Sequence, residues 1–275
     1  MTERHVPNFS FIIPVYNTEN WLENCVNSIL AQPEVYSYEI LLIDDGSTDS
    51  SYELCKAYAS SYPFIHTMTK RNEGQGVARN VGVSMARGEI ICFVDSDDQI
   101  DSSYCEVICK LHESGDFDFV NFGFSFRNIN GVETRRFAPS HSFILEEQEI
   151  FKNSLLIKDI YSSPCNKAYR RKFIIENNLK FPAVRANEDI LFACLVARCA
   201  RRTLFSTEVI YYASIRPGST SRGITVNNFV QTERSFVIAR EAFKRDLESE
   251  EIYFHFDAHT AKVLSYLIYF FPSNI

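Results

Sequence analysis

The feature that most constrains this fold is an alternation of short apolar segments with amphipathic segments over the first hundred residues. Residues 9–13 and 39–43 have the length and composition of buried strands. Between them, apolar residues recur at helical spacing over 21–30. The succession repeats with expected strands at 64–69 and 89–94. Strands separated by helices of about 10 to 15 residues predict a parallel sheet with helices on both faces.

The pattern changes after about residue 116. Residues 116–126 and 132–144 alternate like antiparallel strands around Asn130 and Gly131, a pair typical of a hairpin turn. Beyond them the periodicity predicts helices and one further strand. The expected helices cover 146–157, 164–177 and 187–200 and most of 226–275, and the expected strand covers 203–214.

Charge and composition exclude several classes of protein. There are 28 Lys and Arg against 35 Asp and Glu, a net charge of −7, which argues against nucleic-acid binding. No apolar leader follows Met1, and the longest apolar run, 263–271, is too short to span a bilayer. We therefore expect a cytoplasmic protein in which the eight cysteines are reduced. They show no CxxC spacing, and all except Cys165 lie in apolar periodic segments typical of core residues.

Acidic sequence follows two of the expected strands. Asp44 and Asp45 follow the second strand, and Asp95 and Asp97 follow the fourth. Ligands of parallel sheets bind at the carboxyl ends of the strands, so these four carboxylates should meet at one edge. They repel one another unless donors or a cation compensate, and Mg²⁺ or Mn²⁺ shared with substrate phosphates is the simplest compensation. Helix capping is the alternative role, and it suits Asp49 better.

The usual phosphate-binding loops are missing. No G-x-G-x-x-G follows the first strand, no G-x-x-x-x-G-K-[ST] occurs, and no G-x-S-x-G elbow is present. The layout is therefore typical of nucleotide binding without a glycine cradle. A metal and basic side chains would have to neutralise any diphosphate.

Four segments, taken together and in this order, resemble the family 2 glycosyltransferases with the GT-A fold. They are IIPVYN at 12–17, IDDGSTD at 43–49, NEGQGVARN at 72–80 and FVDSDD at 93–98. The resemblance implies an α/β GT-A fold, with a mostly parallel, Rossmann-like central sheet flanked by helices and a C-terminal helical extension. Its expected parts are a donor-binding half at 1–115, an acceptor-binding half carrying the catalytic base at 116–225, and the extension at 226–275.

The resemblance also implies roles at the donor site. Asp45 would accept a hydrogen bond from the nucleotide base, and Asp95 would contact the ribose or the sugar. Asp97 would coordinate Mn²⁺ or Mg²⁺ on the donor diphosphate. The remaining donor-site candidates are Pro14, Tyr16, Asn17, Asp44, Arg79 and Ser96. For Arg79, contact with donor phosphates and pairing with an acidic side chain both stay open.

On the acceptor side, the resemblance implies that Asp189 is the general base of an inverting reaction. Glu188 is the open alternative, because position on a helix does not distinguish the two. Lys167, Arg216 and Ser219 are secondary candidates for contacts with donor or acceptor.

The implied function is a metal-dependent glycosyltransferase that moves one sugar from a nucleotide sugar, by expectation a UDP-sugar. Its acceptor would be a glycan or a lipid-linked precursor of a capsule, exopolysaccharide or lipopolysaccharide. Two alternatives remain: a sugar nucleotidyltransferase, which requires a Gly-rich basic loop after the first strand, and a non-catalytic nucleotide-sugar binding module. The apolar patch at 263–271 either packs on the domain or contacts a partner or the inner face of the cell membrane.

Overall fold

The computed structural model describes residues 8–147, 149–151, 163–183 and 188–215. They form a 10-stranded sheet with helices packed against it. The strands are β1 (Phe9–Val15), β2 (Tyr38–Asp44), β3 (Ile65–Thr69), β4 (Ile90–Phe93), β5 (Gln99–Ile100), β6 (Phe119–Arg127), β7 (Glu133–Phe137), β8 (Phe143–Glu146), β9 (Lys167–Arg170) and β10 (Arg202–Ser214). The helices are α1 (Leu22–Leu30), α2 (Ser51–Ser61), α3 (Gln75–Met85), α4 (Tyr104–Glu113), α5 (Arg171–Glu176) and α6 (Glu188–Cys199).

The sheet order confirms the α/β prediction. The strands follow one another as β3-β2-β1-β4-β9-β6-β10-β5, while β7 pairs with β6 and β8 pairs with β10. The first four strands are mutually parallel, as the alternation of strands and helices predicts. β9 runs antiparallel to both β4 and β6, so β6 and its parallel neighbour β10 point the same way as β4. The carboxyl ends of β1, β2, β4, β6 and β10 therefore lie at one edge.

The apolar periodicity of the sequence explains how the helices pack. In α1 the buried residues Leu22, Cys25, Val26 and Ile29 form one stripe, and β1 is buried along its whole length. Helix α3 lies very close to β1. A Cβ on Gly82 would come within 2.3 Å of Ile12 Cγ2, so only glycine permits this approach.

The second half of the chain differs from the prediction at two places. The helix expected over 164–177 is only α5, because Lys167–Arg170 forms strand β9 between β4 and β6. Ala168 and Tyr169 are fully buried there, and filling the gap between two strands outweighs the local helical spacing. The hairpin around Asn130 and Gly131 is confirmed as β6 and β7. The strand expected over 132–144 is wrong in its length, because β7 ends at Phe137 and Phe143–Glu146 forms a separate strand, β8, paired with β10. The last expected strand is β10.

Two predictions fall mainly on other parts of the chain. Of the helix expected over 146–157, only 149–151 lie within the described helical residues. The C-terminal extension at 226–275 lies outside the described residues. In the described part of the chain, no helix is both long and apolar enough to cross a membrane.

Candidate active site

The turn after β1 is held by the turn after β2. Asn17 has a positive φ of 51°, its backbone N–H donates to Ser47 Oγ at 3.1 Å, and its side-chain oxygen accepts from Thr48 N at 2.8 Å. Pro14 is buried within β1, whereas Tyr16 is 45% exposed beside it. The structure thus presents the Tyr16 ring at the edge and uses Asn17 to hold the adjoining loop.

Asp44 and Asp45 are both buried at the end of β2 and serve different partners. Asp44 accepts from Thr69 Oγ1 at 2.6 Å and from Ser47 N at 3.2 Å, which ties β3 and the glycine turn to β2. The Asp45 carboxylate fixes the loop that leads into α3. Its Oδ1 accepts from Lys70 Nζ at 2.7 Å and Glu73 N at 3.1 Å, and its Oδ2 accepts from Gly74 N at 2.8 Å.

This arrangement limits what Asp45 can bind. A carboxylate has about four lone-pair sites, and three donors from the protein leave one, on Oδ2. One further N–H, such as that of a nucleotide base, is the complement of that site.

Arg79 connects the two halves of the site. It lies in α3 and is only 1% exposed. Its Nη2 donates to Asp95 Oδ1 at 2.7 Å, and its Nη1 donates to Glu188 Oε1 at 3.3 Å. Gln75, one turn earlier in α3, donates to the same Glu188 oxygen at 2.6 Å. Of the two roles left open by the sequence, the structure places Arg79 in ion pairs with buried and half-buried acids.

The turn after β4 is anchored to β10. Asp98 is buried, and its carboxylate accepts from Tyr211 Oη at 2.6 Å and from Ser214 N at 2.7 Å. Tyr211 Oη also accepts from the backbone N–H of Asp95 at 3.2 Å. Burial and the nearby charges of Asp95 and Asp97 raise the pKa of Asp98 well above its usual value. Ser96 is buried in the same turn, and Asp97 is half-buried.

Asp189 lies in the first turn of α6 and is half-buried. Burial, and then the charge of Glu188, raise its pKa from 3.8 to about 7, although Arg79 acts in the opposite direction. A carboxylate with a pKa near the working pH is suited to general base catalysis. In Glu188, by contrast, one carboxylate oxygen, Oε1, accepts from both Gln75 and Arg79.

Lys167 faces the interior. It is fully buried, and its Nζ donates to Ser163 O at 2.8 Å and to Asn166 Oδ1 at 3.0 Å. Burial lowers the pKa of Lys167 to about 7, while Cys165 and Asp189 raise it. Lys167 is therefore not part of a solvated basic surface. Arg216 and Ser219 lie outside the described residues.

The carboxylates of this site could hold a hard cation such as Mg²⁺ only together with oxygen atoms of a bound ligand. Among the described residues, no three His, Cys, Asp or Glu side chains are grouped as a metal centre would require. Asp95 has one oxygen engaged by Arg79, and its neighbour Asp97 supplies a second carboxylate at the same strand end. One or two carboxylates plus substrate phosphates is the usual coordination of Mg²⁺.

Sequence reasoning missed several residues of this site. Gln75, Asp98 and Tyr211 had no predicted role. Gln75 contacts Glu188 and Tyr211 contacts Asp95, while Asp98 holds Tyr211. Asp98 is the third acidic residue of the run Asp95-Ser96-Asp97-Asp98, and this repetition was a signal for it. Tyr211 gave none, because 116 residues separate it from Asp95.

Comparison with known proteins adds independent findings. Residues 10–177 match the family model described as Glycosyl transferase family 2. The chain is 31% identical to the cholesterol galactosyltransferase of Borreliella burgdorferi, over 81% of this chain and 64% of that protein. It is 30% identical to the uncharacterized glycosyltransferase YibD of Escherichia coli strain K12, over 78% of this chain and 63% of that protein. The chain thus spans less than two thirds of the length of these relatives.

A solved structure is similar over nearly the whole chain. The crystal structure of Staphylococcus aureus TarS 1–349 in complex with UDP-GlcNAc aligns with a TM-score of 0.69 and 25% identity. The alignment covers 95% of this chain and 71% of that one. It confirms the GT-A architecture predicted from the four motifs.

Proposed function

Because this chain belongs to glycosyl transferase family 2, we propose that it transfers one sugar from a UDP-sugar to a hydroxyl group of a surface glycan or its lipid-linked precursor. The observation that carries the proposal is the convergence of Asp95, at the end of a donor-edge strand, with Glu188 and Asp189 at the start of α6. Arg79 joins them across 109 residues of sequence. A donor bound along the strand ends would thus lie beside a candidate base.

UDP as the donor nucleotide is supported from two directions. The TarS structure contains UDP-GlcNAc, and in this chain Asp45 keeps one acceptor site open for a base N–H. Pro14, Tyr16 and Asn17 would shape the base and ribose pocket, with Asp44 and Ser96 holding the surrounding turns. We propose only the class of acceptor, because the names of the relatives give chemically different acceptors, cholesterol and poly(ribitol phosphate).

In the mechanism we propose, Asp189 takes the proton of the acceptor hydroxyl as its oxygen attacks the anomeric carbon and the diphosphate leaves with inversion. Asp97, with the remaining oxygen of Asp95, would hold Mn²⁺ or Mg²⁺ beside the diphosphate. When bound, this cation supplies positive charge where the leaving group becomes more negative. We place the reaction on the cytoplasmic side of the membrane, where a lipid-linked acceptor would reside.

The test is a panel of nucleotide sugars incubated with the enzyme, Mn²⁺ and lipid or glycan extracts, with release of the nucleoside diphosphate as readout. Product stereochemistry by NMR checks inversion. Asp97→Asn should abolish metal-dependent release. The matched control is Asp116→Asn, because Asp116 is 97% exposed and precedes β6 at the opposite edge of the sheet.

Other outcomes would identify the alternatives. Formation of a nucleotide sugar from a sugar phosphate and a nucleoside triphosphate would identify a nucleotidyltransferase. Nucleotide-sugar binding without turnover of any donor would identify a non-catalytic binding module.

A further inference from the structure

Glu188 is a buried charge that the proposed chemistry does not use directly. Its side chain is 2% exposed, and its Oε1 accepts both from Gln75 Nε2 and from Arg79 Nη1. Burying a carboxylate is costly unless it is paired and hydrogen-bonded. The two donors explain how the structure tolerates this charge, and they raise the question of what it does there.

The packing around Glu188 is tight on the side of α3. A Cβ on Gly76 would lie 2.8 Å from Glu188 Cγ and 3.1 Å from Phe181 Cβ. The first turn of α6 is therefore seated directly on the first turn of α3. Movement of one helix end would displace the other.

Arg79 continues this connection to the donor edge. Its guanidinium carbon stands 5.2 Å from the centre of the Phe181 ring, and its second amino group reaches Asp95. Its Nε has no hydrogen-bond partner among the described residues, so the two ion pairs hold the guanidinium in place. Asp95, Arg79 and Glu188 thus form one chain of ion pairs from the half-buried end of β4 to the buried start of α6.

We propose that Glu188 is a positioning residue of the transfer reaction: clamped by Gln75 and Arg79, it seats the first turn of α6 and places a negative charge beside Asp189. The proposal rests on the proposed function, in which Asp189 is the base. It assigns Glu188 no proton transfer of its own. Its effect reaches the reacting atoms only through Asp189.

The charges around Asp189 come from four parts of the structure. Glu188 is on its own helix, Arg79 faces it from α3, Asp95 from the turn after β4, and Lys167 from β9. Burial and the charge of Glu188 raise the pKa of Asp189, and Arg79 lowers it. Neutralising Glu188 removes one raising charge and leaves Arg79 less compensated, so both effects lower the pKa of Asp189.

Glu188→Gln separates charge from geometry. Both donors bind Oε1, so the amide oxygen of Gln can accept from both of them while the charge is lost. We expect the acidic limb of the kcat–pH profile to shift to lower pH by about one unit, with kcat at the optimum within about threefold. Glu188→Ala removes the acceptor as well, and should lower kcat about tenfold or more while the KM for donor changes little.

The matched control is Glu176→Gln on α5, whose side chain is 62% exposed. It should leave the pH profile unchanged. An unshifted acidic limb in Glu188→Gln would overturn the proposal. Complete loss of transfer in Glu188→Gln with normal donor binding would also overturn it, because Glu188 would then be the base itself.

A second measurement does not depend on activity. In ¹³C NMR titrations, the carboxyl group of Asp189 should titrate about one pH unit lower in Glu188→Gln than in the unmodified protein. If the unmodified protein transfers no sugar but this shift is seen, the proposed function fails and the electrostatic role of Glu188 stands. If the titration does not shift, the role of Glu188 is refuted whatever the activity.

Discussion

Replacing Asp189 by Asn should stabilise the protein above neutral pH while it removes sugar transfer. In the folded chain, burial and then Glu188 raise the pKa of this carboxyl from 3.8 to about 7. Between pH 3.8 and about pH 7 the folded state therefore keeps a proton that the unfolded state has already released. The free energy of unfolding falls as the pH rises through this range. The contribution of the protonated Asp189 to the free energy of unfolding is fully present below about pH 4 and is lost above about pH 7.

The size of the effect follows from the shift. A rise in pKa from 3.8 to about 7, at about 1.4 kcal/mol per pH unit, makes the ionised carboxylate cost up to about 4 kcal/mol above pH 7. Asn has the shape of the protonated acid and carries no charge. Urea unfolding of Asp189→Asn should therefore give a gain of up to about 4 kcal/mol at pH 8 and almost none at pH 4.

Transfer should change in the opposite direction. A positioned general base contributes about 10²- to 10⁴-fold, so Asp189→Asn should lose transfer by that factor. Affinity for the donor, measured by calorimetry with UDP, should stay within about twofold, because Asp189 does not face the nucleotide in the proposed arrangement. In the unmodified enzyme, kcat/KM for the donor should rise through about pH 7 as the base of the donor-free enzyme ionises, and Asp189→Asn should show no such limb.

Two results would refute this reasoning. One is equal unfolding free energies of Asp189→Asn and the unmodified protein at pH 8, which would mean that the carboxylate is not destabilised by its surroundings. The other is near-normal transfer by Asp189→Asn together with loss of transfer in Glu188→Gln, which would move the base by one residue.

Three further substitutions test other parts of the site. Asp97→Asn should lose Mn²⁺-dependent donor binding as well as rate, and excess chelator should do the same to the unmodified enzyme; full activity in chelator would contradict the metal proposal. Asp45→Ala should weaken UDP binding about 10- to 100-fold and also speed amide exchange in the loop at 70–74, because its carboxylate holds that loop; unchanged calorimetric affinity would remove Asp45 from the site. Gly76→Ala places a Cβ 2.8 Å from Glu188 Cγ and should lower kcat more than it raises the KM for donor, which steady-state kinetics would show; unchanged kcat would argue against tight seating of α6.

The sequence predicted well which residues lie at the carboxyl edge of the sheet, because the information that places them there is local. Asp44 and Asp95 each follow a buried apolar strand, and parallel strands bring such positions to one edge without further assumptions. The failure at Lys167–Arg170 has a different cause. These residues are read in sequence as part of a helical stretch, but their place is fixed by β4 and β6, which lie far away along the chain.

The partners of Arg79 show the same limit. Arg79 and Asp95 are 16 residues apart, whereas Arg79 and Glu188 are 109 apart, and no spacing rule connects residues at such a separation. A basic residue on α3 predicts a contact with some anion. Which anion it meets depends on how the second half of the sheet folds back onto the first.

The charges of the site suggest why a metal-loaded donor would be its natural ligand. Asp95, Glu188 and Asp189 meet around Arg79, the cation that the described residues place between them, and Asp97 stands in the same turn as Asp95. One guanidinium cannot neutralise this many carboxylates, and the raised pKa of Asp189 reflects the remaining repulsion as well as burial. A divalent cation arriving with a diphosphate would add positive charge at Asp97 and would make ionisation of Asp189 easier. Donor binding would therefore lower the pKa of the base when the base must accept a proton. The acidic limb of kcat, which reports the enzyme with donor bound, should then lie at lower pH than the acidic limb of kcat/KM for the donor, which reports the free enzyme. Coincident limbs in the two profiles would show that the donor site and the base are not coupled electrostatically.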